Sequence, residues 1–235
     1  MPPSDPTTDV RTINWSARRI NRLAQALGAK RYLEVGVNKG VTFHDVAVPE
    51  RIAVDPRFLF EQAEYVNPQT SFHEMTSDSY FETLAEDVKF DICFLDGLHT
   101  FEQTLRDFCN TLAHSHDRTV WLIDDTKPND VFSALRDAPR AYRYRHAAGN
   151  TGYAWHGDVF KIVYVLHDFF PAMNYRTIAS GGNRQTLVWQ SSRGWRKPRY
   201  NDREASARMT DFDMLDKIDV LREMPEDGAL KLCSE

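Results

Sequence analysis

The sequence is poor in the features that would take it out of the ordinary globular class. It has three cysteines in 235 residues, too few and odd in number for a closed disulfide framework, and Cys93 and Cys109 lie in apolar segments where they read as small buried side chains. That usage fits a reducing compartment, so the cytoplasm is the default expectation. No apolar run approaches the roughly 20 residues that a membrane helix needs, and no membrane partner is expected. The opening Met-Pro-Pro-Ser-Asp-Pro has no basic patch leading into an apolar stretch, so no secretory signal is read there. Positive charge is not in excess either. Lys and Arg number 29 against 34 Asp and Glu, a formal charge of −5, which argues against holding a long phosphodiester backbone and against nucleic acid as a partner. Internal repeats and low-complexity tracts are also missing. What is present, 42% hydrophobic and 27% charged residues, suits a folded domain with a sizeable core.

Along the chain, residues 1–12 carry three prolines and few large apolar groups and are expected to form a flexible arm. From Trp15, Ile20, Leu23, Ala24 and Leu27 recur at helical spacing, and Gly28 is placed to end the helix. Short β-prone apolar runs follow at Tyr32 to Val35, Arg51 to Val54, Phe90 to Leu95 and Thr119 to Ile123. Between the last two lies Phe101 to Leu112, with Phe101, Leu105, Phe108, Cys109 and Leu112 on one helical face. Buried-looking strands alternating with amphipathic helices predict a doubly wound α/β domain with a mainly parallel sheet, over residues 13–192. Tyr175 to Ala179 and Thr186 to Gln190, around Gly181-Gly182-Asn183, predict an antiparallel hairpin at the sheet edge. Val159 to Leu166 fits a helix or a strand. Pro139 to Trp155, rich in tyrosine and arginine, reads as a long functional loop. Residues 193–235 read as a basic linker followed by a helix over Asp211 to Met224. Its stripe of Phe212, Leu215, Ile218 and Leu221 is expected to pack on the domain or on a second copy in a homo-oligomer.

The sharpest local signal is Glu34-Val35-Gly36-Val37-Asn38-Lys39-Gly40 at the end of the first strand. Glycine permits positive φ and close backbone approach, which suits a nucleotide-type pocket, although a tight structural turn would use the same residues. The spacing is not the G-x-G-x-x-G of dinucleotide sites, which disfavours a nicotinamide oxidoreductase. Asp55 closes the next strand about 20 residues after the glycines, where an acidic side chain accepts hydrogen bonds from ribose hydroxyls.

These segments resemble the class I S-adenosylmethionine-dependent methyltransferases, most closely a small-domain family of sugar and natural-product O-methyltransferases. The resemblance runs through Glu34-x-Gly36-x-x-x-Gly40, Asp55, Thr76-Ser77-Asp78-Ser79-Tyr80-Phe81, Asp96-Gly97-Leu98-His99-Thr100-Phe101-Glu102 with Arg106-Asp107, and the strand ending at Asp124-Asp125. It implies a Rossmann-like fold and methylation of a hydroxyl on a small molecule. It also implies that Glu34, Gly36, Val37, Asn38, Gly40 and Asp96 face the amino-acid end of S-adenosylmethionine. Asp55 would then bind the ribose, and Ser77 with Asp78 would lie beside the adenine. Where the family closes its fifth strand with His-Asp, this chain has Asp124-Asp125.

Asp96, Asp124 and Asp125 sit at the carboxyl ends of two predicted parallel strands, where three carboxylates repel one another unless a cation or a proton intervenes. A hard ion such as Mg²⁺ meets that need. The pattern is similar to metal-dependent catechol-type O-methyltransferases, and His99 stands at the offset of their general base. A histidine is suited to take a proton near neutral pH. The competing assignments are that Asp96 orients the cofactor, that Asp124 or Asp125 caps the next helix, and that His99 caps its own. Three other functions compete with metal-assisted O-methylation: metal-free methyl transfer, S-adenosylmethionine binding without turnover, and oxidoreduction. Trp155, His156 and Lys161 are weaker candidates for the substrate pocket, and His114 and His116 read as loop residues.

Overall fold

Four short apolar segments, and a more polar fifth at the edge, pair side by side in a computed structural model of the chain that describes residues 13–190, 197–199 and 203–234. They are β1 (Arg31–Val35), β2 (Glu50–Asp55), β3 (Thr70–Glu74), β4 (Ile92–Leu95) and β5 (Val120–Ile123), all parallel where they pair. β6 (Met173–Ile178) and β7 (Gln185–Gln190) add an antiparallel pair, giving the order β3-β2-β1-β4-β5-β7-β6. The expected doubly wound sheet with its edge hairpin is therefore present. Val35 pairs with Val54 and Leu95, and Leu95 with Ile123. The residues just beyond them, Gly36, Asp55, Asp96 and Asp124, consequently emerge along one edge.

Alternation of side chains divides the core into two layers. Leu33, Val35, Cys93, Leu95, Trp121 and Ile123 face one side and pack with residues of α4 (Phe101–Ala113) and α6 (Lys161–Phe169). Tyr32, Ile92, Phe94, Val120 and Leu122 face the other, with residues of α1 (Trp15–Leu27) and the terminal α9 (Glu226–Ser234). Asn14 caps α1 by accepting from the Ala17 amide, and Gly28 ends it in the left-handed region. The remaining helices are α2 (Val41–Asp45), α3 (Ser77–Thr83), α5 (Ala138–Ala147), α7 (Arg203–Arg208) and α8 (Asp211–Asp216).

Several expectations need correction. Val159 to Leu166, open between helix and strand, is helical from Lys161, and Ile162 to Leu166 are all buried, so no polar face marks the period. Part of the supposed loop from Pro139 is α5, nucleated by Asp137 accepting from the Arg140 amide with Pro139 in its first turn. The single helix over Asp211 to Met224 does not form. α8 starts with a capping box between Thr210 and Asp213, stops at Asp216, and is followed by a 3-10 turn at Ile218–Leu221. Phe212, Leu215 and Ile218 are exposed while Met214 and Val220 are buried, so of the predicted stripe only Leu221 is packed. Cys109 is exposed rather than buried. The arm over residues 1–12 and most of the basic linker lie outside the described residues.

Candidate active site

The loops leaving β1, β2, β4 and β5 enclose a cavity of about 700 Å³, within the range that accommodates a nucleoside-sized ligand. Glu34, Gly36, Val37, Asn38, Asp55, Ser77, Asp78, Asp96, His99 and Asp125 all line it, so residues scattered over about 90 positions converge as the sequence implied. Gly40 and Asp124 are not among the lining residues.

Each loop is held by its own hydrogen bonds. Gly36 has φ +88°, and a Cβ there would fall 1.9 Å from the Asp96 carbonyl oxygen, so the missing side chain makes room for the β4 loop. The tight-turn role of this glycine is thus real and coexists with its place on the cavity wall. Asp55 Oδ2 accepts from the amides of Val37 (2.8 Å) and Asn38 (2.9 Å), which ties the glycine loop to β2. Buried Glu34 accepts from the Tyr32 hydroxyl at 2.5 Å, and burial pushes its carboxyl up to about 8.

At the other end, Ser77 Oγ donates to Asp107 Oδ1 at 2.6 Å. Gln103 Nε2 reaches Ser77, Asp78 and Asp107, while Arg106 pairs with Asp78 at 2.7 Å. Gln103 was not foreseen. The signal available was its place one helical turn before Asp107, which puts both on the face of α4 that meets α3.

The reactive corner is built around His99. Its ring stacks on Trp155 with centroids 4.7 Å apart. Nδ1 lies 3.1 Å from the Trp155 carbonyl oxygen and 3.0 Å from Asp125 Oδ2, while Nε2 lies 3.7 Å from Asp96 Oδ1. Gly157, with φ +60°, leaves room for the His99 carbonyl, where a Cβ would sit 1.7 Å away. Burial disfavours the imidazolium, but the Asp125 hydrogen bond and charge outweigh it, and the His99 pKa is raised above its ordinary value. Asp96 is held well above the usual carboxylate range by burial and by Asp124, Asp125, Glu34 and Asp55. Asp125 itself adopts φ +59°, a left-handed conformation that aspartate tolerates better than most residues.

The capping alternatives fail on geometry. Asp158, not His99, accepts from the Phe101 amide at the start of α4, and the backbone donor to Asp124 Oδ1 is the amide of Asp125 itself, at 2.8 Å, not a helix N-terminus. Asp124 is buried and raised to about 7 chiefly by that burial. It therefore does not join Asp96 and Asp125 in an oxygen shell. The group whose ligand atoms lie within 4.8 Å of one another is Asp96, His99 and Asp125, two carboxylates and an imidazole. That set does not fit the all-oxygen environment Mg²⁺ prefers.

Of the weaker candidates, Trp155 lines the cavity, His156 lies buried behind Asp125, and Lys161 is held by Asp158 at 2.9 Å and by the Ala207 carbonyl. His114 and His116 bond Val88 and Asp91 and serve the fold. No helix among the described residues is long and apolar enough to cross a membrane.

Residues 15–126 match the family model described as a methyltransferase domain. No curated protein matches the chain. Among solved structures, cofactor-bound Rv0187 from MTB is 15% identical, with 77% of this chain and 82% of that one covered at a TM-score of 0.54. The O-methyltransferase TomG from Streptomyces achromogenes, solved in complex with SAM, is 16% identical over 79% and 83% of the two chains at a TM-score of 0.49. The first of these likenesses establishes a shared fold.

Proposed function

We propose, from the match of residues 15–126 to the methyltransferase-domain family model, that the protein transfers a methyl group from S-adenosylmethionine to a hydroxyl of a small organic molecule, with His99 as general base. The observation that carries the base assignment is the environment of its ring. A peptide carbonyl only accepts, so the Trp155 oxygen 3.1 Å from Nδ1, together with Asp125 Oδ2 at 3.0 Å, favours the proton on that nitrogen. The neutral ring then carries its lone pair on Nε2, on the Asp96 side of a side chain that lines the cavity.

The lining also suits a cationic nucleoside. Acidic side chains outnumber basic ones in the lining, and because burial and mutual repulsion push the carboxyls of Glu34 and Asp96 toward the protonated form, a ligand with sulfonium and ammonium groups would favour their ionised forms. Asp55, whose Oδ1 already accepts from the Arg57 amide at 2.7 Å, would take a ribose hydroxyl on its remaining lone pair. Glu34, Gly36, Val37, Asn38 and Asp96 would surround the amino-acid end, and Ser77 and Asp78 the adenine.

Bound S-adenosylmethionine supplies an electrophilic methyl carbon on a positively charged sulfur. His99 Nε2 takes the proton of the acceptor hydroxyl as the oxygen's electron pair forms the bond to that carbon. The carbon–sulfur electrons stay on sulfur, which leaves as a neutral thioether. Asp125 Oδ2, 3.0 Å from Nδ1, stabilises the imidazolium that results. No step in this reading is routed through a metal, since Asp124 does not join the Asp96, His99 and Asp125 group.

The test is methyl transfer from isotopically labelled S-adenosylmethionine to a panel of hydroxylated acceptors. Wild type should label an acceptor with and without EDTA, and His99→Gln should lose on the order of 10²–10⁴ in rate. Full activity of His99→Gln would refute the base assignment. Loss of all activity in EDTA would instead favour a cation held by Asp96, His99 and Asp125.

A further inference from the structure

Asp125 has one oxygen toward His99, and its other oxygen is also engaged. Asn183 Nδ2 donates to Asp125 Oδ1 at 3.0 Å. We infer that Asn183 is a positioning residue, which fixes the rotamer of Asp125 and through it the tautomer and orientation of His99. The inference rests on the reading of His99 as the base and adds a residue from a distant turn to that site.

Asp125 lies past the end of β5 in a left-handed conformation, so no strand neighbour sets its side chain. Asn183 comes from the turn between β6 and β7, and that turn is anchored. Arg19, fully buried in α1, donates to the carbonyls of Asn183 (3.1 Å) and Ser180 (2.6 Å) and to that of Gly181. The same guanidinium meets Gln185 Oε1 at 2.7 Å and Glu226 Oε2 at 3.2 Å. A chain of direct contacts thus runs from Glu226 through Arg19 and the turn to Asn183, Asp125 and His99.

The other candidate for Asp125 Oδ1 is His156. Its Nε2 is 3.8 Å away, too far for a hydrogen bond, and its Nδ1 has no partner. Among the described residues, Asn183 alone holds that oxygen within hydrogen-bond distance. Without it, Asp125 could turn Oδ2 off Nδ1, and only the Trp155 carbonyl would then favour the Nδ1–H tautomer.

The experiment uses the full chain with ¹⁵N-labelled histidine, with no acceptor present, so that contact between Asn183 and substrate cannot affect the reading. Spectra are taken at about pH 9, where an ordinary imidazole is neutral, and His99 is assigned from the His99→Gln spectrum. Wild type should show His99 with a protonated Nδ1 and a lone-pair Nε2, with and without S-adenosylhomocysteine. Asn183→Ala should lose that signature in favour of exchange between tautomers. Asn183→Asp, which keeps the shape of the turn but sets an acceptor against Oδ1, should lose it too. Affinity for S-adenosylhomocysteine should stay within about twofold in both variants.

An unchanged His99 signature in both variants overturns the role of Asn183 and leaves the base assignment standing. A wild-type His99 protonated on Nε2 overturns the base assignment itself. Weakened S-adenosylhomocysteine binding, with the His99 signature intact, would make Asn183 a pocket residue instead.

Discussion

A histidine whose Nδ1 faces a peptide carbonyl favours one neutral tautomer, and at His99 a carboxylate reinforces it. That pairing also sets a pH dependence. Because the His99 pKa is raised, the base form is depleted at mildly acidic pH, so the initial rate should climb with pH through a midpoint above the ordinary histidine value of about 6.5. A pH–rate profile with its midpoint at or below that value would contradict the geometry. Glu34 supplies a second prediction. An acid whose pKa is near 4.5 unfolded and about 8 folded costs stability progressively as pH rises through that interval. The full cost above pH 8 is on the order of 5 kcal/mol. Glu34→Gln, which can still accept from Tyr32, should therefore raise Tm in the unliganded protein more at pH 8 than at pH 5, checked by calorimetric melting. His99 and Asp96 could be picked out from residue type and position after β4. Asn183 and Gln103 could not, because nothing in an isolated amide names the carboxylate it will meet.

Elements differ in how much of their structure is written locally. The four apolar strands are legible because burial on both faces demands continuous apolar residues, and α1 because its stripe, cap and terminal glycine agree. The C-terminal region misleads because a spacing of three fits an α-helix only for a turn or two before the stripe drifts off the packed face. There the chain breaks into α8 and a 3-10 turn, and α9, which packs against α1, went unread. That contact is anchored by Arg19, fully buried, and by Glu226, whose side chain is 7% exposed. Removing one partner of a buried pair strands the other, at a typical cost of about 3–5 kcal/mol. Arg19→Met should lower the denaturation free energy by that order, measured by urea unfolding. Since the same arginine holds the β6–β7 turn, it should also lower methyl-transfer rate more than affinity for S-adenosylhomocysteine.

For the molecule as a whole, the sheet order places the ends of β1, β2, β4 and β5 on one edge, and the chemistry is assembled from the loops that leave them. Of the three carboxylates expected to share a cation, Asp96 and Asp125 come together with His99 and Asp124 does not. Asp125, in its left-handed conformation, lines the cavity, while Asp124 accepts from its neighbour's amide and does not. The central claim is that this edge receives S-adenosylmethionine, and it is tested most directly by calorimetric titration of the full chain with S-adenosylhomocysteine and, separately, with NAD. Saturable binding of S-adenosylhomocysteine that is weakened at least tenfold by Asp55→Ala, a loss of about 1.4 kcal/mol, with no heat from NAD, is the predicted result. Saturable binding of NAD with none of S-adenosylhomocysteine would contradict it.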